Sequence, residues 1–209
     1  MGHPLLDAIS DLAPIDAENF KKEYGLNDKE IIALLPGSRE QEVEKMLSLM
    51  LSVRDHFKNY QFVIAGAPSL PKDFYEKFVD DDVHFVSNKT YDLLRCSKAA
   101  LVTSGTATLE TALLNVPEIV CYRTSTISYE IGKRVVKNIK FISLVNLIMD
   151  REIVKELIQK ELNTENLVNE LQKILEGQKR DKMLKNYELL REKLGGKGAS
   201  EHAAEIIVN

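Results

Sequence analysis

The chain has 209 residues, 44% hydrophobic and 29% charged, which excludes a disordered or fibrous polymer and allows one ordinary domain or two small ones around a substantial core. A formal net charge of −4 argues against the basic excess of a nucleic-acid binder, so no nucleic-acid partner is expected. No apolar run approaches the ~20 residues that span a bilayer, and Met1-Gly2-His3-Pro4 begins no charged-then-apolar signal, so a cytoplasmic chain with at most peripheral membrane contact is expected.

Residues 1–25 read as a lead-in segment with one short helix, Ala17–Tyr24, closed by Gly25 as a left-handed cap. Five brief apolar runs follow: Ile31–Leu35, Gln61–Ala65, Val83–Val86, Ala99–Thr103 and Ile119–Tyr122. Such runs are the signature of strands buried on both faces of a parallel sheet. Helical patterns lie between them at 40–57, 71–79, 90–96, 106–115 and 126–137. The first carries Val43, Met46, Leu47, Met50, Val53 and Phe57 at helical spacing. Ser38 and Gln41 fit an S-x-x-Q capping box at its start. From Glu152 onward the pattern predicts helices only, at 153–162, 165–176 and 180–194. Gly195-Gly196-Lys197-Gly198 then breaks the run before a last amphipathic stretch at 199–208. The expected fold is therefore α/β, a doubly wound, Rossmann-like parallel sheet with extra C-terminal helices and its site at the strands' carboxyl ends. Cys96 and Cys121 lack metal-ligand spacing and read as reduced, buried thiols.

Two strand-to-helix turns carry the chemistry. In Leu34-Leu35-Pro36-Gly37-Ser38-Arg39, Gly37 allows close backbone approach, the helix start offers unpaired N–H groups, and Arg39 adds a planar cation suited to phosphate. The alternative is a tight turn whose exposed arginine pairs with Glu40 or Glu42. In Ser104-Gly105-Thr106-Ala107-Thr108-Leu109-Glu110, small and hydroxyl residues form a second cradle. With Thr106 as N-cap, Glu110 falls one turn in, where it can accept from vicinal hydroxyls. The alternative there is a capped helix with a dipole-complementing glutamate. One phosphate needs one cradle, whereas a nucleoside diphosphate sugar uses both.

The remaining candidates are weaker. Asn146, in the apolar run Ser143–Ile148, is either a turn bond or a ligand contact. Glu156 and Gln159 share a helix face whose default is solvation. Lys133, Arg134, Lys137 and Lys140 beside Ile139, Phe141 and Ile142 form a basic, partly apolar patch, either a solvated face or a headgroup contact. His56, His84 and His202 are isolated, and neither a triad nor an acid/base carboxylate pair is evident.

These segments resemble the lipid-A-disaccharide synthase family. Gly2-His3-Pro4-Leu5-Leu6-Asp7 is similar to its G-H-P-L-x-D junction, Leu34–Arg39 with Gln41-Glu42 to its L-P-G-S-R stretch, and Ala99–Glu110 to its A-L-V-x-S-G-T-A-x-L-E signature. Ala112–Pro117, Tyr122–Ser125, Leu144–Ile148, Glu156–Gln159 and Ala199–Ala204 continue the likeness in order. The resemblance implies the C-terminal half of a GT-B fold. The reaction transfers 2,3-diacylglucosamine from UDP to 2,3-diacylglucosamine 1-phosphate, giving the β-1,6 disaccharide of lipid A and UDP, with no cofactor and no metal.

It implies that Arg39 stabilises the leaving diphosphate, with donor contacts from Gly37, Ser38, Ser104, Gly105, Thr106, Glu110, Tyr122, Asn146, Glu156 and Gln159. Residues 1–25 would lead in from a missing N-terminal acceptor domain that holds the catalytic base. Residues 26–195 would bind UDP-2,3-diacylglucosamine through its UDP part. Residues 196–209 would pack on the missing domain or mediate a homodimer, and the fragment alone would bind UDP without turnover. The full-length enzyme would sit peripherally on lipids at the cytoplasmic face of the inner membrane. Two other readings stand beside this one. They are another UDP-sugar enzyme of the same architecture, of the UDP-N-acetylglucosamine epimerase or peptidoglycan glycosyltransferase type, and a non-catalytic nucleotide-binding module.

Overall fold

The computed structural model describes residues 3–123 and 140–195. The expectations at 126–137, at Lys133, Arg134 and Lys137, at Thr124-Ser125 and at 196–209 lie outside the described residues. Among the described residues the strands β1 (Glu30–Leu35), β2 (Tyr60–Gly66), β3 (Val83–Ser87), β4 (Ser97–Thr103), β5 (Glu118–Tyr122) and β6 (Lys155–Ile158) form one sheet in the order β3-β2-β1-β4-β5-β6. Every pairing is parallel. Strand order reverses direction between β1 and β4, where Leu35 stands opposite Val102.

Alternation along the strands feeds two cores. Ile32, Leu34, Ala99 and Leu101 enter one, and Ile31, Ala33, Leu35, Ala100 and Val102 enter the other. Burial on both faces explains why these strands read as unbroken apolar runs. The helices are α1 (Pro4–Ser10), α2 (Ala17–Glu23), α3 (Glu40–Leu51), α4 (Lys72–Glu76), α5 (Thr90–Arg95), α6 (Thr106–Leu113), α7 (Leu144–Met149), α8 (Thr164–Leu175) and α9 (Gln178–Leu194). Gly25 has φ +65° and follows α2 as expected. The connection from α2 to β1 is stapled to the sheet by buried Gln61, which donates to the Asn27 and Lys29 carbonyls at 2.9 and 2.7 Å and accepts from Asn27 N–H at 3.1 Å.

Several local expectations need correction. The predicted helix at 153–162 is strand β6 followed by a single 3-10 turn, Gln159–Glu161. Its apolar residues satisfy a helical period, but a four-residue strand is too short for periodicity to identify. The open edge of β5 decides the matter by pairing with it. Glu156 and Gln159 therefore share no helix face. α1 was not anticipated, although His3 accepts from Leu5 N–H at 3.2 Å as N-cap and Pro4 stands in the first turn, a helix-start signal. Nor was α7, capped by Ser143. The long helix at 40–57 ends at Leu51, and a separate 3-10 turn covers Arg54–His56. The capping box at Ser38 and Gln41 does not form, since Arg39 is the N-cap and no side chain caps it. Cys121 is buried but Cys96 is half-exposed.

Candidate functional site

At the reversal of strand order, the turns leaving β1 and β4 face one another across a cleft of about 390 Å³. This is the switch point at which open α/β sheets bind ligands. Gly37 and Ser38 line one wall, and Ser104, Gly105, Thr106 and Ala107 line the other. The loop after β2, Ala67-Pro68, closes a third side, and Ser69 donates to the Ser38 carbonyl at 2.9 Å.

The turn geometry is demanded by sequence. Gly37 has φ +105°, and a Cβ there would come within 2.7 Å of the Glu42 carboxylate, which folds back over the turn. Gly105 has φ +153° and is the N-cap of α6, displacing the expected Thr106 by one residue. A Cβ at Gly105 would meet no protein atom within 4 Å, so the space beyond it belongs to the cleft. Neither α3 nor α6 has a side-chain cap. Thr106 and Ala107, in the first turn of α6, line the opening with its positive dipole end, whereas α3 contributes the preceding Gly37-Ser38 turn and the Glu42 side chain.

The hydroxyls divide. Thr108 donates to the Gly105 carbonyl at 2.9 Å, and Ser104 to the Ile142 carbonyl at 3.1 Å, so both brace the turn. Thr106 is exposed in the lining. Thr103, not singled out from sequence, also lines the cleft. It is 5% exposed, and its Oγ1 finds no partner among the described residues.

Glu110 lines the cleft, and its Oε1 accepts from the Tyr91 hydroxyl at 2.9 Å. Burial, reinforced by this bond and the glutamate's charge, pushes the Tyr91 hydroxyl up to about 12. Glu42 also lines the cleft, so among the described residues its lining holds two carboxylates but no lysine or arginine. Arg39 follows Ser38 as an exposed N-cap outside the lining and makes no ion pair with another described residue. The pairing with Glu40 or Glu42 does not form.

The structure does not bring Tyr122, Asn146, Glu156 or Gln159 into this lining. Tyr122 ends β5 beside Ile158. Asn146 is fully buried and fully engaged. Its amide nitrogen donates to the Val154 carbonyl at 2.8 Å and to Glu156 at 2.9 Å, and its oxygen accepts from Ile153 and Val154 N–H at 2.7 and 3.0 Å. Glu156 also accepts from Ile142 N–H at 2.9 Å and from the Ser143 N–H and hydroxyl at 3.0 and 2.7 Å. This knot sits directly behind Ser104, through the carbonyl of Ile142. Gln159 takes φ +52°, and its carbonyl accepts from Arg123 at 3.1 Å. Among the described residues no group of three or more His, Cys, Asp or Glu side chains could hold a metal ion. No helix there is long and apolar enough to cross a membrane.

Tyr91, Thr103, Glu42 and the Ala67-Pro68 loop were missed from sequence. Only the last had a readable signal, a Gly66-Ala67-Pro68 turn after an apolar run. At Gly66 a Cβ would run into the Phe85 ring at 2.2 Å.

The sequence profile of the Lipid-A-disaccharide synthetase family matches residues 1–208. The chain is 37% identical to the lipid-A-disaccharide synthase of Syntrophus aciditrophicus over 98% of its length and 55% of the relative's. The corresponding figures are 36%, 99% and 57% for Persephonella marina, and 32%, 100% and 56% for Myxococcus xanthus. It spans about half the length of these relatives and corresponds to their C-terminal half. Among solved structures, the fold is shared with an S. aureus MnaA–UDP co-structure (TM-score 0.59, 17% identity, 99% of this chain and 52% of that one). It is shared also with spinosyn rhamnosyltransferase SpnG complexed with thymidine diphosphate (0.60, 11%, 88% and 46%).

Proposed function

The chain belongs to the lipid-A-disaccharide synthetase family, and on that premise we propose that it is the donor-nucleotide half of such an enzyme, holding UDP in the cleft between β1 and β4. The observation that carries this reading is that the two strand-to-helix turns, Gly37-Ser38 before α3 and Ser104-Gly105-Thr106-Ala107 entering α6, line one opening at the switch point, and neither helix has a side-chain cap. A diphosphate has two charged groups to satisfy, and each helix end offers N–H donors with roughly half a positive charge.

In this reading Gly37, Ser38, Gly105 and Thr106 give backbone contacts to the diphosphate, and Glu110 accepts from ribose hydroxyls. Arg39, exposed at the rim of α3, swings onto the phosphates as charge grows on departing UDP. No metal is needed, because helix ends and Arg39 offset the charge. Asn146 and Glu156 act from behind Ser104 by holding its turn. Tyr122 and Gln159 belong to the sugar side of the donor. The reaction assigned to the whole enzyme is transfer of 2,3-diacylglucosamine from its UDP conjugate to 2,3-diacylglucosamine 1-phosphate. The acceptor site, the catalytic base and contact with membrane-surface lipids are assigned to the family's other half. The assigned units are 1–25 as lead-in, 26–195 as donor domain, and 196–209 as the segment that packs on that half or pairs two copies.

Calorimetry with UDP tests the assignment. The chain is expected to bind UDP without turning it over, and Arg39→Ala to weaken binding about tenfold, as loss of a charge-assisted contact should. Absence of heat at about millimolar UDP would remove the reading. Equal binding by the variant would remove Arg39 from it.

A further inference from the structure

Tyr91 lies on α5, just beyond Thr90 at the cleft wall, and it reaches across to α6 to donate to Glu110 Oε1 at 2.9 Å. Both side chains are half-buried, and among the described residues no hydrogen bond engages Glu110 Oε2. We propose that Tyr91 is a positioning residue that fixes the Glu110 carboxylate, so that its remaining acceptor sites face the paired hydroxyls of a bound ribose. This inference rests on the nucleotide reading of the cleft and gives it a specificity device.

The physical case has three parts. A glutamate side chain turns about several bonds, and an ordering cost would fall on any ligand that had to fix it. A charge-assisted bond from a rigid phenol removes that cost beforehand. A carboxylate has about four lone-pair sites, so one bond from Tyr91 leaves acceptors for two hydroxyl donors. The bond also has a fixed direction. With its titration pushed up to about 12, Tyr91 remains a donor throughout the working range. Ligands lacking the two hydroxyls leave this acceptor pair unmatched and are discriminated against.

The test compares UDP with 2′,3′-dideoxy-UDP on the whole chain by calorimetry, with circular dichroism to verify folding. The unaltered chain should prefer UDP. Tyr91→Phe should weaken UDP about tenfold while leaving dideoxy-UDP unchanged within about twofold. In a Glu110→Ala background, Tyr91→Phe should add nothing, because the group it positions is gone. Equal weakening of both nucleotides by Tyr91→Phe would make the bond a mere tether between α5 and α6 and overturn the proposal. No weakening of either would overturn it too. If the unaltered chain binds both nucleotides equally, the role of Glu110 falls and this inference with it, while the UDP cleft stands. If it binds neither, the nucleotide reading itself fails and the inference goes with it.

Discussion

Glu118 opens β5 with its side chain wholly buried, and neither carboxylate oxygen has a hydrogen-bond partner among the described residues. Burial raises its pKa well above the ordinary value of 4.5, so folding favours the protonated form. Its contribution to stability is full below that ordinary value. It is lost as pH rises above it, since the unfolded chain releases the proton first. Relative to Glu118→Gln, the native chain should therefore lose stability as pH rises above the ordinary carboxylate range, read from urea midpoints. A constant difference would mean that Glu118 is ionised in the fold. Thr103 makes a second residue-scale case. Its buried hydroxyl is unpartnered, so the isosteric Thr103→Val should raise unfolding free energy by about 1 kcal/mol, and a lower melting temperature would reveal a partner. Neither feature was legible in the sequence. Glu118 sits beside an apolar run and reads as a strand boundary, whereas in the fold Tyr187 of α9 lies against it.

At the scale of elements, the turns were largely readable and the role of the turn after residue 140 was not. Gly37 was legible because a turn between a buried strand and an amphipathic helix needs a residue tolerant of positive φ. Gly37→Ala should cost about 1–2 kcal/mol by denaturant unfolding, with φ +105° strained for any side chain and Glu42 in the way. Asn146 was visible as an amide in an apolar run, but its four side-chain bonds go to Ile153, Val154 and Glu156, leading into and within a strand whose sequence looked helical. Asn146→Ala leaves the Ile153 and Val154 N–H groups and Glu156 short of partners, for an expected loss of about 3 kcal/mol in the same measurement. Loss of less than about 1 kcal/mol would mean that water replaces the amide.

Across the whole molecule, the C-terminal helices complete the core. Met183, Tyr187 and Leu190 of α9 join the cluster that holds Ile32, Leu34 and Leu101, and Arg191 donates to the Leu113 carbonyl at 2.8 Å. Leu190→Ala should therefore lower one shared transition by about 2–5 kcal/mol, seen equally by far-UV circular dichroism and tyrosine fluorescence. Separate transitions would mean that α9 folds apart from the sheet.

By itself the sequence determined the α/β class, five of the six strands, both cradle turns and the family. Buried parallel strands must be continuously apolar, and turns that admit an anion need small residues before a helix start. Only the tertiary structure decided that β1 and β4 are neighbours, which merges two turns far apart in the sequence, Gly37-Ser38 and Ser104-Gly105, into one cleft. It alone set Tyr91 against Glu110, left Arg39 outside the lining, and withdrew Asn146 and Glu156 into a buried knot. Strand order and side-chain partners are properties of packing, and a linear pattern carries the faces of each element but not which face meets which.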